Sequence, residues 1–178
     1  NGTILTSTNG DTWTREVASA SISDNLHAVS HDDDYFVIVG QNGRLLVRNN
    51  SALPASTTWM DFFSNSSWGT LNDIFFTGSN CIIVGDSGRI VTGTAQTSFT
   101  GSALNTGLDL FSVSGNNNNI ITVGQDGITF FSRDGGGSWQ RTVQASEFTL
   151  FDIHYDAGTS VFHAVGERGT FLSGTNSF

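Results

Sequence analysis

Val39-Gly40-Gln41-Asn42-Gly43 returns three times, as Val84-Gly85-Asp86-Ser87-Gly88, Val123-Gly124-Gln125-Asp126-Gly127 and Val165-Gly166-Glu167-Arg168-Gly169. The starts lie 45, 39 and 42 residues apart. A period of about 40–45 residues, with short strand-like runs inside each unit, marks a propeller or an array of small sheets. The phrase reads as a hairpin, and its glycines supply the positive φ that a tight reversal needs.

Working outward, each phrase is preceded by a β-branched, apolar run: Tyr35 to Val39, Cys81 to Val84, Ile120 to Val123 and Val161 to Val165. These runs are almost continuously apolar, as befits strands covered on both faces by neighbouring sheets. Before each lies a polar turn, and before that a run with apolar residues at its first and fourth positions. These runs are Leu26 to Val29, Leu71 to Ile74, Leu110 to Val113 and Leu150 to Ile153. A third strand follows the phrase: Arg44 to Val47, Arg89 to Thr92, Ile128 to Ser132 and Thr170 to Leu172. Residues 1–7 match the end of the glycine phrase and this third strand, so third strands outnumber first and second strands by one.

A more specific motif follows one third strand: Ser132-Arg133-Asp134-Gly135-Gly136-Gly137-Ser138-Trp139. It fits Ser-x-Asp-x-Gly-x-Ser/Thr-Trp, with Ser132, Asp134, Gly136, Ser138 and Trp139 in the defining places. A version one residue shorter, Ser7-Thr8-Asn9-Gly10-Asp11-Thr12-Trp13, carries Ser7, Asn9 and Trp13. Trp59, Phe99 and Phe178 stand where other units would carry the tryptophan. Asp134 is expected to accept hydrogen bonds within its own turn, and Trp139 to pack between sheets. On these residues the chain resembles the Asp-box, or bacterial neuraminidase repeat, β-propellers. With the glycine phrase added it is similar to the propeller family that includes photosystem II assembly and stability factors. The resemblance implies an all-β propeller of four-stranded antiparallel blades. It implies little about activity, because such propellers include sialidases, xyloglucanases and sorting receptors.

The strand count predicts a single domain over residues 1–178: a partial blade at 1–20, blades at 26–63, 71–105 and 110–146, and a partial blade at 150–178. The alternatives are a ring of about five blades and a segment of a larger propeller, because the chain starts and stops inside a unit. Unpaired blade edges would permit self-assembly.

Composition narrows the partners. Seven basic residues, all arginine, face 16 acidic ones, for a net charge of −9. Nucleic acid is not expected as a partner, since phosphate binding needs clustered Lys or Arg. No apolar run approaches the length of a membrane span, so membrane insertion is not expected. Cys81 is the single cysteine, within an apolar strand, and reads as a buried residue. Asn-x-Ser/Thr triplets at Asn1, Asn49 and Asn65 are compatible with an extracytoplasmic protein.

Neither a nucleotide loop nor a nucleophile elbow is present. Asp73 and Asp152 hold the same place in their units, on strands expected to line the central channel, and are the candidate pair for a glycosidase. His27, His31, His154 and His163 lack metal-ligand spacing, and neither a metal nor a cofactor is expected. The residues around Phe62, Phe63, Trp68 and Asn72 break the repeat and are the candidate binding surface. The first reading is therefore a non-catalytic interaction scaffold, extracytoplasmic, that binds a protein or glycan through its loops. The alternatives are a carbohydrate-active hydrolase and a repeating subunit of a surface fibre.

Overall fold

The computed structural model describes residues 2–16, 22–50, 58–78, 80–95, 98–142 and 146–175. It is all-β, and its only helical pieces among the described residues are short 3₁₀ turns. Among the described residues seventeen strands form five sheets, each antiparallel and each in simple sequence order. The first sheet has only β1 (Leu5–Thr6) and β2 (Thr14–Arg15). The next has β3 (Leu26–His31), β4 (Tyr35–Gly40), β5 (Arg44–Asn49) and β6 (Met60–Ser64). Then come β7 (Leu71–Thr77), β8 (Asn80–Gly85), β9 (Arg89–Thr94) and β10 (Phe99–Ala103). The fourth sheet holds β11 (Leu110–Gly115), β12 (Ile120–Gly124), β13 (Thr129–Ser132) and β14 (Gln140–Arg141). The last holds β15 (Leu150–Asp156), β16 (Val161–Gly166) and β17 (Phe171–Gly174). These sheets are blades of a β-propeller, and their first strands β3, β7, β11 and β15 lie side by side.

The glycine phrase does two jobs, and only one of them was expected. Its fourth and fifth residues are both left-handed, for example Ser87 at φ 53° and Gly88 at φ 70°. The first glycine is extended instead, with φ between −162° and −173° in the four copies. Its smallness serves close approach: a Cβ on Gly40, Gly85, Gly124 or Gly166 would overlap the carbonyl oxygen of Asn25, Thr70, Asp109 or Thr149. Those carbonyls belong to the residue just before each first strand. Each accepts the next amide of the phrase, Gln41, Asp86, Gln125 or Glu167, at 2.9–3.0 Å. The same four side chains reach back to accept the amide of Asn25, Thr70, Asp109 or Thr149, at 2.8–3.4 Å. A reciprocal clamp thus ties the hairpin to the entry of the first strand four times over.

The core lies between the sheets. Val37 and Val39 of β4 pack on Leu71, Ile74, Cys81 and Ile83. Ile82 and Val84 of β8 pack on Leu110, Val113 and Ile120. Ile121 and Val123 of β12 pack on Leu150, Ile153, Phe162 and Ala164. Alternate residues of each second strand face opposite neighbours, which explains why the sequence shows no polar face there. Cys81 is fully buried, and that burial pushes its thiol up to about 12.

Replacing Gly124 with Ala should destabilise the fold by about 1–3 kcal/mol, because the added methyl meets backbone that cannot yield. Urea unfolding of Gly124→Ala checks this. A change within about 0.5 kcal/mol, the range of ordinary surface substitutions, would contradict it.

Candidate functional site

Asp73 and Asp152 occupy equivalent places on β7 and β15, and Ser112 holds that place on the intervening β11. The structure brings all three together. The Ser112 hydroxyl lies 2.8 Å from Asp73 Oδ2 and 2.9 Å from Asp152 Oδ1. Asp73 Oδ1 accepts the Ile74 amide at 2.8 Å, and Oδ2 accepts the Val113 amide of the next sheet at 2.9 Å. Asp152 Oδ1 accepts the Ile153 amide at 2.9 Å. Burial pushes the Asp73 carboxyl above its ordinary value, against the hydrogen bonds from Val113, Ser112 and Ile74, and the Asp152 charge adds to the rise. Both oxygens of Asp73 are thus engaged by backbone donors, and the one from Val113 joins neighbouring first strands. Asp73 ties β7 to β11, while Asp152 is exposed on β15 and its Oδ1 lies beside the Ser112 hydroxyl.

The expected binding surface does not form as a patch. Trp68 is only 7% exposed, and it packs in the core between β3–β6 and β7–β10. Its indole lies against Gly101, where any Cβ would strike it. Phe62 is half-buried and meets Phe99 edge-on, with ring centroids 5.6 Å apart. Asn72 sits at the bulge of β7 and donates from Nδ2 to the Leu110 carbonyl at 2.8 Å, another tie between first strands. The Phe63 side chain lies outside the described residues. Trp68 and Phe62 thus pack in an inter-sheet seam, and Asn72 ties adjacent first strands. His154 and His163 do pair across β15 and β16. No three His, Cys, Asp or Glu among the described residues come together as a metal cluster.

The two serine-led turns share one hydrogen-bond scheme. Ser132 Oγ donates to Asp134 Oδ1 at 2.7 Å, and the Gly136 amide donates to Ser132 Oγ at 2.8 Å. The Ser138 amide and hydroxyl donate to Asp134, and Trp139 Nε1 donates to the Gly136 carbonyl. In the shorter copy Asn9 replaces the aspartate, and Trp13 Nε1 donates to the Gly10 carbonyl at 3.1 Å. The Ser138 and Ser132 hydroxyls hold the Asp134 carboxyl down to about 2. Trp139 packs on the Ile82 cluster, whereas Trp13 remains 59% exposed.

That contrast leads to a groove of about 460 Å³ between β1 and the first four-stranded sheet. Its walls include Leu5 and Trp13 on one side and Val29, Phe36 and Ile38 on the other. Val29 is 61% exposed, while its counterparts Ile74, Val113 and Ile153 are 4–6% exposed. Arg48 lines the groove with its guanidinium 5.0 Å from the Trp59 ring and 5.1 Å from that of Phe36. Its NH1 lies 3.6 Å from Glu16 Oε1, which also accepts the Thr6 hydroxyl. The groove is thus an apolar trough with one tethered cation. Reading the residues missed Leu5, Val29 and Arg48 as a set.

Comparison with known proteins gives the fold and no more. No family model matches the chain, and no curated protein matches it. It is similar in structure to the computationally designed Ika4 protein (TM-score 0.73, 10% identity, covering 90% of this chain and 96% of that one). It is also similar to the β-propeller domain of Cps50 (Swd1) from Myceliophteria thermophila (TM-score 0.69, 12% identity), covering 96% of this chain and 62% of that one. YCF48 from Cyanidioschyzon merolae matches at TM-score 0.71 and 17% identity, covering 97% of this chain and 63% of that one. The chain therefore spans about three fifths of the length of these two propellers.

Trp68→Ala should cost about 3–5 kcal/mol of stability in urea unfolding, as for a buried aromatic. A loss below about 0.5 kcal/mol would return Trp68 to the surface. Asp73 and Asp134 should respond to pH in opposite senses. A raised folded value for Asp73 means its contribution is full below the ordinary value of 3.8 and is lost as pH rises through the folded value. The stability of the wild type relative to Asp73→Asn should therefore fall as pH rises from 3.8 towards neutrality. A lowered value for Asp134 gives a contribution present above 3.8 and lost as pH falls towards about 2. Unfolding curves at several pH values check both, and a gap that grows with pH for Asp73 would contradict its assignment.

Proposed function

We propose that this chain is a non-catalytic protein-interaction module whose partner docks in the groove between β1 and the first four-stranded sheet. The observation that carries this reading is the exposure of Val29, at 61%, in a place that the other units bury. Leu5 and Trp13, at 51% and 59%, stand opposite it. Apolar side chains grouped in a concavity gain free energy by leaving water, about 25 cal/mol per Å² of surface covered. One structure similar in fold is described as YCF48 bound to D1 peptide, at 17% identity and covering 57% of that chain. It offers a precedent for a propeller of this kind holding a peptide. The net charge of −9 disfavours nucleic acid as the partner.

Selection of a displayed random-peptide library on the purified chain tests the reading. Peptides should be enriched that bind the wild type and lose at least tenfold in affinity against Trp13→Ala and Val29→Asp. Enrichment of peptides indifferent to both substitutions would place the binding surface elsewhere and overturn the assignment.

A further inference from the structure

Four consecutive asparagines, Asn116 to Asn119, make the turn between β11 and β12. Asn116 closes this turn, because its Oδ1 accepts the amides of Asn118 and Asn119 at 2.9 and 2.7 Å. Further bonds pin it from outside. The Thr77 hydroxyl of the preceding sheet donates to the Asn117 carbonyl at 3.1 Å, and the Gly135 amide donates to the Asn118 carbonyl at 3.0 Å. Asn116 Nδ2 donates to the Tyr155 hydroxyl of the following sheet at 3.2 Å. The turn is thus held to the sheets on either side. Asn117 and Asn118 stand exposed, and neither side chain has a hydrogen-bond partner among the described residues.

The same turn opens a space beside it. Phe76, Gly115 and Tyr155 hold one place on β7, β11 and β15, three residues after Asp73, Ser112 and Asp152. No ring can stand there on β11, because a Cβ on Gly115 would overlap the Asn119 carbonyl. A notch of about 600 Å³ lies at this point. Phe75, Gly115, Tyr155 and Ala157 give its apolar part, and the asparagine turn gives its polar part. Phe75 packs on the cluster of Ile82 and Ile120, and the Tyr155 ring lies against Phe162 with centroids 4.8 Å apart. Both rings are therefore fixed in place. Apart from the Tyr155 phenol, no lining residue is ionisable. The notch is built by three consecutive sheets and shares no residue with the groove beside β1.

We propose that this notch binds a neutral pyranose unit of an oligosaccharide. A pyranose has a face of C–H groups and a rim of hydroxyls, which matches two fixed rings beside two free amides. The C–H face covers Phe75 and Tyr155 and gains by leaving water. Each free amide offers two donors and a carbonyl acceptor, and a sugar hydroxyl both donates and accepts, so one amide engages two neighbouring hydroxyls. An ionic ligand meets no opposite charge here, and the net charge of −9 repels an acidic sugar. Because the turn and the rings are held in place before binding, the ligand has little to order.

Isothermal titration of the full chain with cellotriose, maltotriose, mannotriose and galactotriose, and with trigalacturonate as the charged comparison, tests the site. At least one neutral trisaccharide should bind saturably, and trigalacturonate should bind at least tenfold more weakly. The double substitution Asn117→Ala with Asn118→Ala, at exposed turn positions, should weaken the neutral ligand at least tenfold with circular dichroism unchanged. Phe75→Leu, which keeps apolar bulk and removes the ring, should weaken it by a similar factor, and Trp13→Ala should leave it unaltered. Binding indifferent to the asparagine and Phe75 substitutions would overturn the site. Tighter binding of trigalacturonate would overturn its neutral chemistry. Silence of every neutral trisaccharide up to tens of millimolar would overturn the proposal. Loss of affinity for library-selected peptides on the asparagine substitutions would overturn it in favour of a protein segment as occupant. The groove beside β1 is probed separately by Trp13→Ala and Val29→Asp, so the two sites can fail independently.

Discussion

One contact recurs at the base of every complete hairpin: a backbone carbonyl, from Asn25, Thr70, Asp109 or Thr149, pressed against a glycine that has no Cβ to push it away. The approach is close enough that the same carbonyl also accepts the following amide, and a side chain of the phrase returns the bond. Three links thus fix where each first strand enters relative to its own second and third strands. Once that entry is fixed, the first strand's Leu and its fourth residue fall onto the apolar pair of the preceding sheet, as Leu110 and Val113 do on Ile82 and Val84. Packing between blades therefore depends on a backbone contact within a blade.

A second layer of bonds runs from one first strand to the next. Asn72 reaches Leu110, Asp73 reaches Val113, and the Tyr155 amide reaches the Ser114 hydroxyl at 3.0 Å. Asp73 belongs to the same layer, because its Oδ2 accepts the Val113 amide of the neighbouring first strand. Among the described residues, Val29 is open at the seam between β1–β2 and β3–β6, where a groove lies. Recognition is thus proposed where the repeat is incomplete in space, rather than where it is interrupted along the chain.

Much of the fold was legible because the glycine phrase is dictated by local sterics, and its spacing reports the repeat directly. The apolar runs before it could be assigned to strands because β-branched residues without a polar face fit only a doubly covered position. The reason for the first glycine was not legible. A positive φ and a close contact both demand glycine, and only the extended φ of Gly85 and its fellows separates them. Trp68 misled because an aromatic residue in a segment off the repeat reads equally as a loop contact or as a seam filler. Its neighbour in space, Gly101, lies 33 residues away, and nothing in the local pattern pairs the two. The groove was invisible for a similar reason, since Leu5, Val29 and Arg48 converge from two sheets.

Amide hydrogen exchange at the clamp tests the account most directly. The amides of Asp86 and Gln125 lie in hairpin turns that a loop reading would leave open to water. Held by the Thr70 and Asp109 carbonyls, they are expected to exchange only through global unfolding, as slowly as the core amides of β8 and β12. Exchange at the pace of an exposed turn, with the strands still protected, would show that the clamp does not set the entry of the first strands.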